Sequence, residues 1–201
     1  IDGGFTKRFG MSVLDMATSL GAKASAESKW TLPAIDGGPR IVVVGLESEQ
    51  PSAEDLRRAA GTGVRHAASL AGSDALSVAV SLGSSDTDQL AAVAEGALLG
   101  SYQYQPISAA PANSGKINAI TVVHSAEVRD DSIASAAEIV ARAVVTVRDW
   151  VNIPANLLYP ESFANEVRNL VRGRKIAIDV LDEKALSRDG YGGLMAVGGG
   201  S

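Results

Sequence analysis

The sequence contains no cysteine, which excludes disulfides, thiolate metal sites and a cysteine nucleophile within it and is compatible with a reducing compartment. It has no apolar run near the ~20 residues of a membrane span. It has no basic block and its net charge is −5, so neither a nucleic-acid partner nor a membrane is expected. An initiator methionine is also missing, and we expect the natural start to lie upstream of Ile1.

The composition is that of an ordinary globular protein, with 46% apolar and 20% charged residues. A chain of 201 residues has room for one domain, or for one domain and part of another.

Strand and helix patterns alternate along most of the chain. Runs rich in β-branched residues predict strands at Trp30–Leu32, Arg40–Gly45, Ala75–Leu82, Lys116–His124 and Lys175–Leu181. Between them, apolar residues at helical spacing predict helices that start near Ser52, Asp86 and Ile133, with a weaker signal over Met11–Leu20. This alternation is typical of an α/β fold with a largely parallel or mixed sheet.

The longest predicted helix runs from Ile133 to Val151 and is followed by a proline-containing connector. Its apolar residues recur at steps of 4, 3, 4, 3 and 4, as on one face of a helix: Ile133, Ala137, Val140, Val144, Val147 and Val151. Pro154 ends this helix and Pro160 suits the first turn of the next. The apolar stripe of that next helix comprises Phe163, Val167, Leu170 and Val171, and Gly173 stops it.

No group of residues predicts a catalytic or metal site. His66 and His124 are far apart in the sequence and lack a third ligand type, so they are poor zinc candidates. The acidic residues Asp182, Glu183 and Asp189 are expected in a solvated loop. Two glycine-rich segments, Gly61–Gly63 and Gly198–Ser201, lack the residues of nucleotide-binding loops, and no Gly-x-Ser-x-Gly elbow occurs.

The connector contains a distinctive sequence motif: Arg148-Asp149-x-Val151-Asn152-x-Pro154-x-Asn156, then Leu158 and Pro160-Glu161. Together with Ala94–Tyr102, Val180–Leu186 and Gly190–Ser201, in that order along the chain, it resembles the leucyl (cytosol) aminopeptidase family. Two positions depart from the family pattern. Tyr159 stands where many members have a threonine N-cap, and Gly199 stands where glutamine or lysine is usual.

The resemblance implies an organisation in three parts. Residues 1–132 would form a macro-like N-terminal α/β domain with a mixed sheet flanked by helices. Residues 133–151 would be a linking helix, and residues 152–201 the beginning of the catalytic domain, an incomplete second α/β domain. The apolar faces of Phe163, Leu170, Ile176 and Ile178 should then be poorly covered within this chain.

The resemblance also implies a function, because family members remove N-terminal residues, often leucine, from peptides. They use two divalent metals, manganese or zinc, that activate a water, and they form homohexamers in the cytoplasm. Their catalytic and metal-binding motifs follow the stretch that matches Gly198–Ser201. No catalytic, metal-binding or cofactor-binding residue is therefore assigned in this chain, which we expect to be inactive alone and to serve assembly or regulation. The alternative is a free-standing macro-like module that binds a nucleotide or a protein.

Overall fold

The computed structural model describes residues 2–26, 28–32, 38–72, 74–105, 116–124, 130 and 132–199. The chain divides into two compact units, Ile1–Asp149 and Trp150–Ser201, called here unit 1 and unit 2. Unit 1 contains the helices α1 (Asp2–Phe9), α2 (Val13–Ser19), α3 (Ala53–Leu70) and α4 (Thr87–Gly100) and the strands β1 (Lys29–Leu32), β2 (Ile41–Val44), β3 (Leu76–Val80) and β4 (Ile117–Val122). Helix α5 (Ser132–Asn152) runs across the boundary, and unit 2 continues with α6 (Pro160–Val171), α7 (Glu183–Arg188) and α8 (Gly192–Gly198).

The strands confirm the α/β class. β1 pairs antiparallel with β2, and β3 pairs parallel with β4 with a register irregularity between Leu76 and Ser77. The parallel pair is connected through α4, since parallel neighbours need a crossover rather than a tight turn. Both kinds of pairing expected of a mixed sheet occur, but within the described residues they form two separate two-stranded sheets and not one sheet.

The prediction of a strand at Lys175–Leu181 is wrong. These residues are described, and they form neither a strand nor a helix before α7 begins at Glu183. Alternation of apolar residues creates one apolar face, but a strand also needs a neighbour for its backbone N–H and C=O groups. Among the described residues no strand pairs with this segment.

The main core of unit 1 lies where α3 and α4 pack on the β3–β4 pair. Its buried residues are Leu56, Ala60, Val64, Val80, Val93 and Ala97. The start of α3 is fixed by a capping box, in which Asp55 N–H donates to Ser52 Oγ (3.2 Å) and Ser52 N–H donates to Asp55 Oδ2 (2.9 Å). Asp86 is the N-cap of α4, and its side chain accepts from the N–H of Gln89 at 2.8 Å.

Glycines allow α3 and α4 to approach with their backbones in contact. A Cβ placed on Gly96 would lie 2.1 Å from the carbonyl oxygen of Arg57, and one on Gly100 would lie 2.5 Å from that of Gly61. Next to this seam, Arg57 Nε donates to Glu95 Oε2 at 3.0 Å, which adds a half-buried ion pair between the two helices. The interface therefore has no space for a side chain at either glycine.

The predicted apolar face of α5 is buried only in its first half. Ile133, Ala137 and Ala141 are buried, the first two against Leu90 and Ala94 of α4. Of the predicted stripe, Val140 is exposed already within the first half, and Val147 and Val151 are exposed in the second. Before the helix, Asp130 Oδ1 accepts from the N–H of Ser132 at 2.9 Å and from its hydroxyl at 2.6 Å.

Unit 2 consists of short helices whose apolar side chains are largely accessible. Helices α6, α7 and α8 contain no buried residue. Trp150 packs edge-to-face on Phe163, with ring centroids 5.1 Å apart. Phe163, Leu170 and Ile176 remain 43%, 48% and 57% exposed, and Ile178 is half-buried, which agrees with the poor coverage predicted for them.

At two positions of unit 2, the structure agrees with what the residue type predicts. Tyr159, at the N-cap of α6, makes no side-chain capping bond, as its residue type predicts. Gly173 follows the end of α6 with φ of 78°, a conformation that favours glycine. Within the described part of the chain, no helix combines the length and the apolar character needed to span a bilayer.

Candidate functional site

The residues weighed as metal ligands are not brought together. His66 lies on α3, and His124 follows β4. Across the described ranges, no three His, Cys, Asp or Glu side chains form a group that could hold a metal ion. The residues that the structure describes therefore do not fit a two-metal centre.

The acidic residues near the end of the chain make local contacts. Asp182 caps α7 by accepting from the N–H of Ala185 at 2.8 Å, and Asp189 accepts from Arg188 Nε at 2.7 Å. Glu183 is exposed in the first turn of α7. These contacts explain the positions of Asp182 and Asp189 without a ligand.

The described residues of the two glycine-rich segments lie in or at the end of helices. Gly61–Gly63 lies inside α3, where Gly61 contacts the backbone of α4. Gly198 is the last residue of α8 and Gly199 its C-cap, while Gly200 and Ser201 lie outside the described residues.

Two of the family-like motifs meet inside unit 1, which the sequence analysis did not predict. The hydroxyl of Tyr102 donates to Asp149 Oδ1 at 2.8 Å, and the guanidinium of Arg148 lies 5.5 Å from the centroid of the Tyr102 ring. Arg148 Nη1 also donates to the carbonyl oxygen of Leu99 at 3.4 Å. Leu99 and Tyr102 belong to the Ala94–Tyr102 motif, so polar contacts join the end of α4 to the end of α5.

A second feature missed from the sequence is a depression of about 350 Å³ between β1 and α3, called here the basic depression. It is lined by Lys29, Thr62, Arg65, His66 and Ser69. The four α3 residues are spaced by 3, 1 and 3, which places them on one side of the helix. That spacing was readable in the sequence, but Lys29 is distant in the chain and only the fold adds it.

The electrostatics of the basic depression are dominated by nitrogen donors. Burial, and secondarily the charge of Lys29, lower the pKa of His66, because both disfavour the protonated ring. His66 Nε2 lies 2.8 Å from Thr31 Oγ1, which fixes the ring, and Arg65 Nη2 lies 3.4 Å from Thr62 Oγ1. No carboxylate is among the lining residues that the structure describes.

The α/β unit and the junction that follows it define a class of protein, and comparison with known families identifies it. The model of the cytosol aminopeptidase family, N-terminal domain, matches residues 4–110, and that of the same family's catalytic domain matches residues 145–201. The chain belongs to the cytosol aminopeptidase family, which confirms the resemblance seen in its motifs.

Relatives give the extent of the match. A probable cytosol aminopeptidase of Cutibacterium acnes is 42% identical over 194 residues, which is 96% of this chain and 37% of the relative. One from Nocardia farcinica is 37% identical over 198 residues, 94% of this chain and 38% of the relative. The chain thus spans little more than a third of the length of these relatives.

Solved structures agree with the fold. The bottromycin maturation enzyme BotP superposes with a TM-score of 0.73 at 27% identity, over 96% of this chain and 41% of its own. A tomato leucine aminopeptidase mutant superposes with a TM-score of 0.75 at 22% identity, over 92% of this chain and 38% of its own.

Proposed function

We propose that this chain is the N-terminal portion of a leucyl aminopeptidase that hydrolyses N-terminal residues from peptides. The observation that carries the proposal is the succession of two models of one family along the chain, at residues 4–110 and 145–201. A free-standing macro-like module would not explain why residues 145–201 match the model of the family's catalytic domain.

The proposed division of labour follows the same order. Residues 1–132 form the N-terminal domain, residues 133–151 link it to the next, and residues 152–201 begin the catalytic domain. The two compact units, with their boundary between Asp149 and Trp150, support this division. We assign assembly and regulation of the enzyme to the N-terminal domain.

The proposed enzyme uses two divalent metals, manganese or zinc. One solved neighbour, 27% identical to this chain, is described as BotP in complex with Mn. Because the chain spans only 37% of the length of the Cutibacterium acnes relative, we propose that the metal ligands and catalytic residues belong to the part of the enzyme that follows residue 201. When bound, such metals lower the pKa of a water and polarise the scissile carbonyl.

The accessible apolar surface of unit 2 supports this placement. Many exposed large apolar side chains within one short unit are expected to be covered by another part of the protein. In unit 2 they include Leu157, Phe163, Leu170, Ile176, Val180, Leu194 and Val197. We propose that the rest of the catalytic domain covers them. A homohexamer and a cytoplasmic location complete the proposal, supported by the family and by the absence of cysteine.

The test compares the 201-residue chain with the protein that its gene encodes. We expect the gene product, loaded with manganese or zinc, to release leucine from leucinamide and to lose this activity with a chelator. The 201-residue chain should release none under the same conditions. Release of leucine by that chain alone would contradict the placement of the catalytic residues. A natural stop codon after Ser201 would favour the free-standing module.

A further inference from the structure

We propose that the basic depression binds a phosphate group, either free or as an ester on a small molecule. Its lining combines an ammonium, a guanidinium, an imidazole and the hydroxyl of Thr62, which can donate hydrogen bonds to an oxyanion, with the hydroxyl of Ser69, which donates to the carbonyl oxygen of His66 at 2.7 Å. A tetrahedral oxyanion uses several converging donors at once, and a guanidinium contacts it through a planar fork.

The charge of the basic depression is local and opposes that of the whole chain. The sequence carries a net charge of −5, so a general attraction for anions is not expected. Lys29 and Arg65 nevertheless lie at one depression, and no carboxylate lines it in the described ranges. By contrast, other arginines of α3 are paired, Arg57 with Glu54 and Glu95, and Arg58 with Glu54.

The framework behind the donors is fixed. α3 begins with a capping box and packs tightly against α4, so the positions of Thr62, Arg65, His66 and Ser69 are set by one rigid helix. β1 supplies Lys29, and its next-but-one residue Thr31 holds the ring of His66. The volume of about 350 Å³ is within the lower range for small-molecule sites.

His66 makes the binding dependent on pH. The charged residues that share the lining with His66 are Lys29 from β1 and Arg65 from α3, and neither β2 nor α4 contributes a described residue to it. An anion in the basic depression would offset the effect of Lys29 and raise the pKa of His66. Binding should therefore strengthen as the pH falls and His66 takes up a proton.

The experiment is titration calorimetry on the full gene product with inorganic phosphate, adenosine monophosphate, sulfate and acetate at constant ionic strength. We expect saturable binding of phosphate and sulfate and far weaker binding of acetate. Tighter binding of the nucleotide than of phosphate identifies an ester, and equal binding identifies free phosphate; both support the site. Sulfate keeps its charge between about pH 5.5 and pH 8, so tighter sulfate binding at the lower pH, lost in His66→Gln, reports the histidine.

Paired variants locate the binding. Lys29→Gln and Arg65→Gln should each weaken phosphate binding about tenfold, since each removes a charge-assisted contact. Lys175→Gln and Arg174→Gln make the same charge changes at exposed positions of unit 2 and should leave the affinity unchanged. The variants also separate this site from phosphate bound at a metal elsewhere in the protein.

Three results would overturn the proposal. The first is that Lys175→Gln and Arg174→Gln weaken phosphate binding as much as Lys29→Gln and Arg65→Gln do. The second is that acetate binds as tightly as phosphate, and the third is that a DNA duplex binds much more tightly than any small anion through Lys29 and Arg65. Because the readout is binding, failure here leaves the proposed peptidase activity untouched, and failure of that activity leaves this site untouched.

Discussion

Unit 1 and unit 2 carry equally clear amphipathic helices, yet they bury them very differently. Every buried apolar residue of the described chain lies in unit 1, from Phe5 to Ala141. In unit 2 the stripe of α6 is as regular as that of α3, and none of it is buried. An apolar stripe therefore predicts that a helix forms and which face it covers, but the covering surface has to come from elsewhere.

The strongest test of this contrast is the same truncation in each unit. Leu56→Ala removes a side chain with no exposed surface, and we expect the free energy of unfolding to fall by about 3 kcal/mol. Leu170 is 48% exposed, so Leu170→Ala should lower the free energy of unfolding by less than about 1 kcal/mol. Urea denaturation of the 201-residue chain measures both. Equal costs would break the comparison, whereas a cost near 2 kcal/mol for Leu170→Ala in the gene product would sharpen it.

A smaller contrast comes from two helical glycines. Gly96→Ala places a methyl group against the carbonyl of Arg57 and should destabilise the chain by about 2 kcal/mol, because α3 and α4 must separate. Gly193→Ala places the same methyl in open space in α8 and should change stability by less than about 1 kcal/mol, in the stabilising direction. Thermal unfolding of both variants checks this. A neutral Gly96→Ala would mean that the two helices do not touch through their backbones.

The contact between the two motifs gives an intermediate effect. Tyr102→Phe removes the hydrogen bond to Asp149 and keeps the ring beneath Arg148, so we expect a loss of about 1 kcal/mol. Tyr191→Phe, at a tyrosine that is 47% exposed in unit 2, is the matched change and should cost nearly nothing. Denaturation midpoints of the two variants give the comparison. Identical midpoints would mean that the Tyr102–Asp149 hydrogen bond does not contribute to stability.

The smallest expected effect concerns pH. Hydrogen bonds from the side chain and then the backbone of Ser52 lower the pKa of Asp55. A lowered pKa stabilises the folded state above the unfolded-state pKa, and this contribution disappears as the pH falls through the folded-state value, below about pH 4. Stability should therefore fall less steeply with acid in Ser52→Ala than in the parent protein. Ser187→Ala, an exposed serine of α7, should keep the parent slope.

Much of the fold was predictable because its signals are local. The N-cap at Ser52, the strand at Ile41–Val44 and the helix after Pro160 each depend on residues within a few positions of one another. The same reasoning missed α1, whose sequence Asp2–Phe9 begins with two glycines in its first turn, poor helix formers. It also placed a strand at Lys175–Leu181, where alternation is present and a pairing partner is not.

Features that depend on distant residues were not predictable. Lys29 joins four residues of α3 only because β1 lies beside that helix, and in the sequence it looks like an ordinary solvated charge. Tyr102 and Asp149 belong to motifs recognised separately, and nothing in either motif indicates that they meet. The aminopeptidase family was recognisable because several short motifs occur in a fixed order.

Trp150, which packs edge-to-face on Phe163, makes the unfolding of unit 2 visible by tryptophan fluorescence. The sequence holds two tryptophans, and one falls in each unit: Trp30 on β1 and Trp150 at the start of unit 2. Replacing either tryptophan with phenylalanine leaves a single tryptophan, whose emission can be excited selectively over that of the four tyrosines. The emission of Trp30 then follows the melting of one region, and that of Trp150 follows the other, without any attached dye.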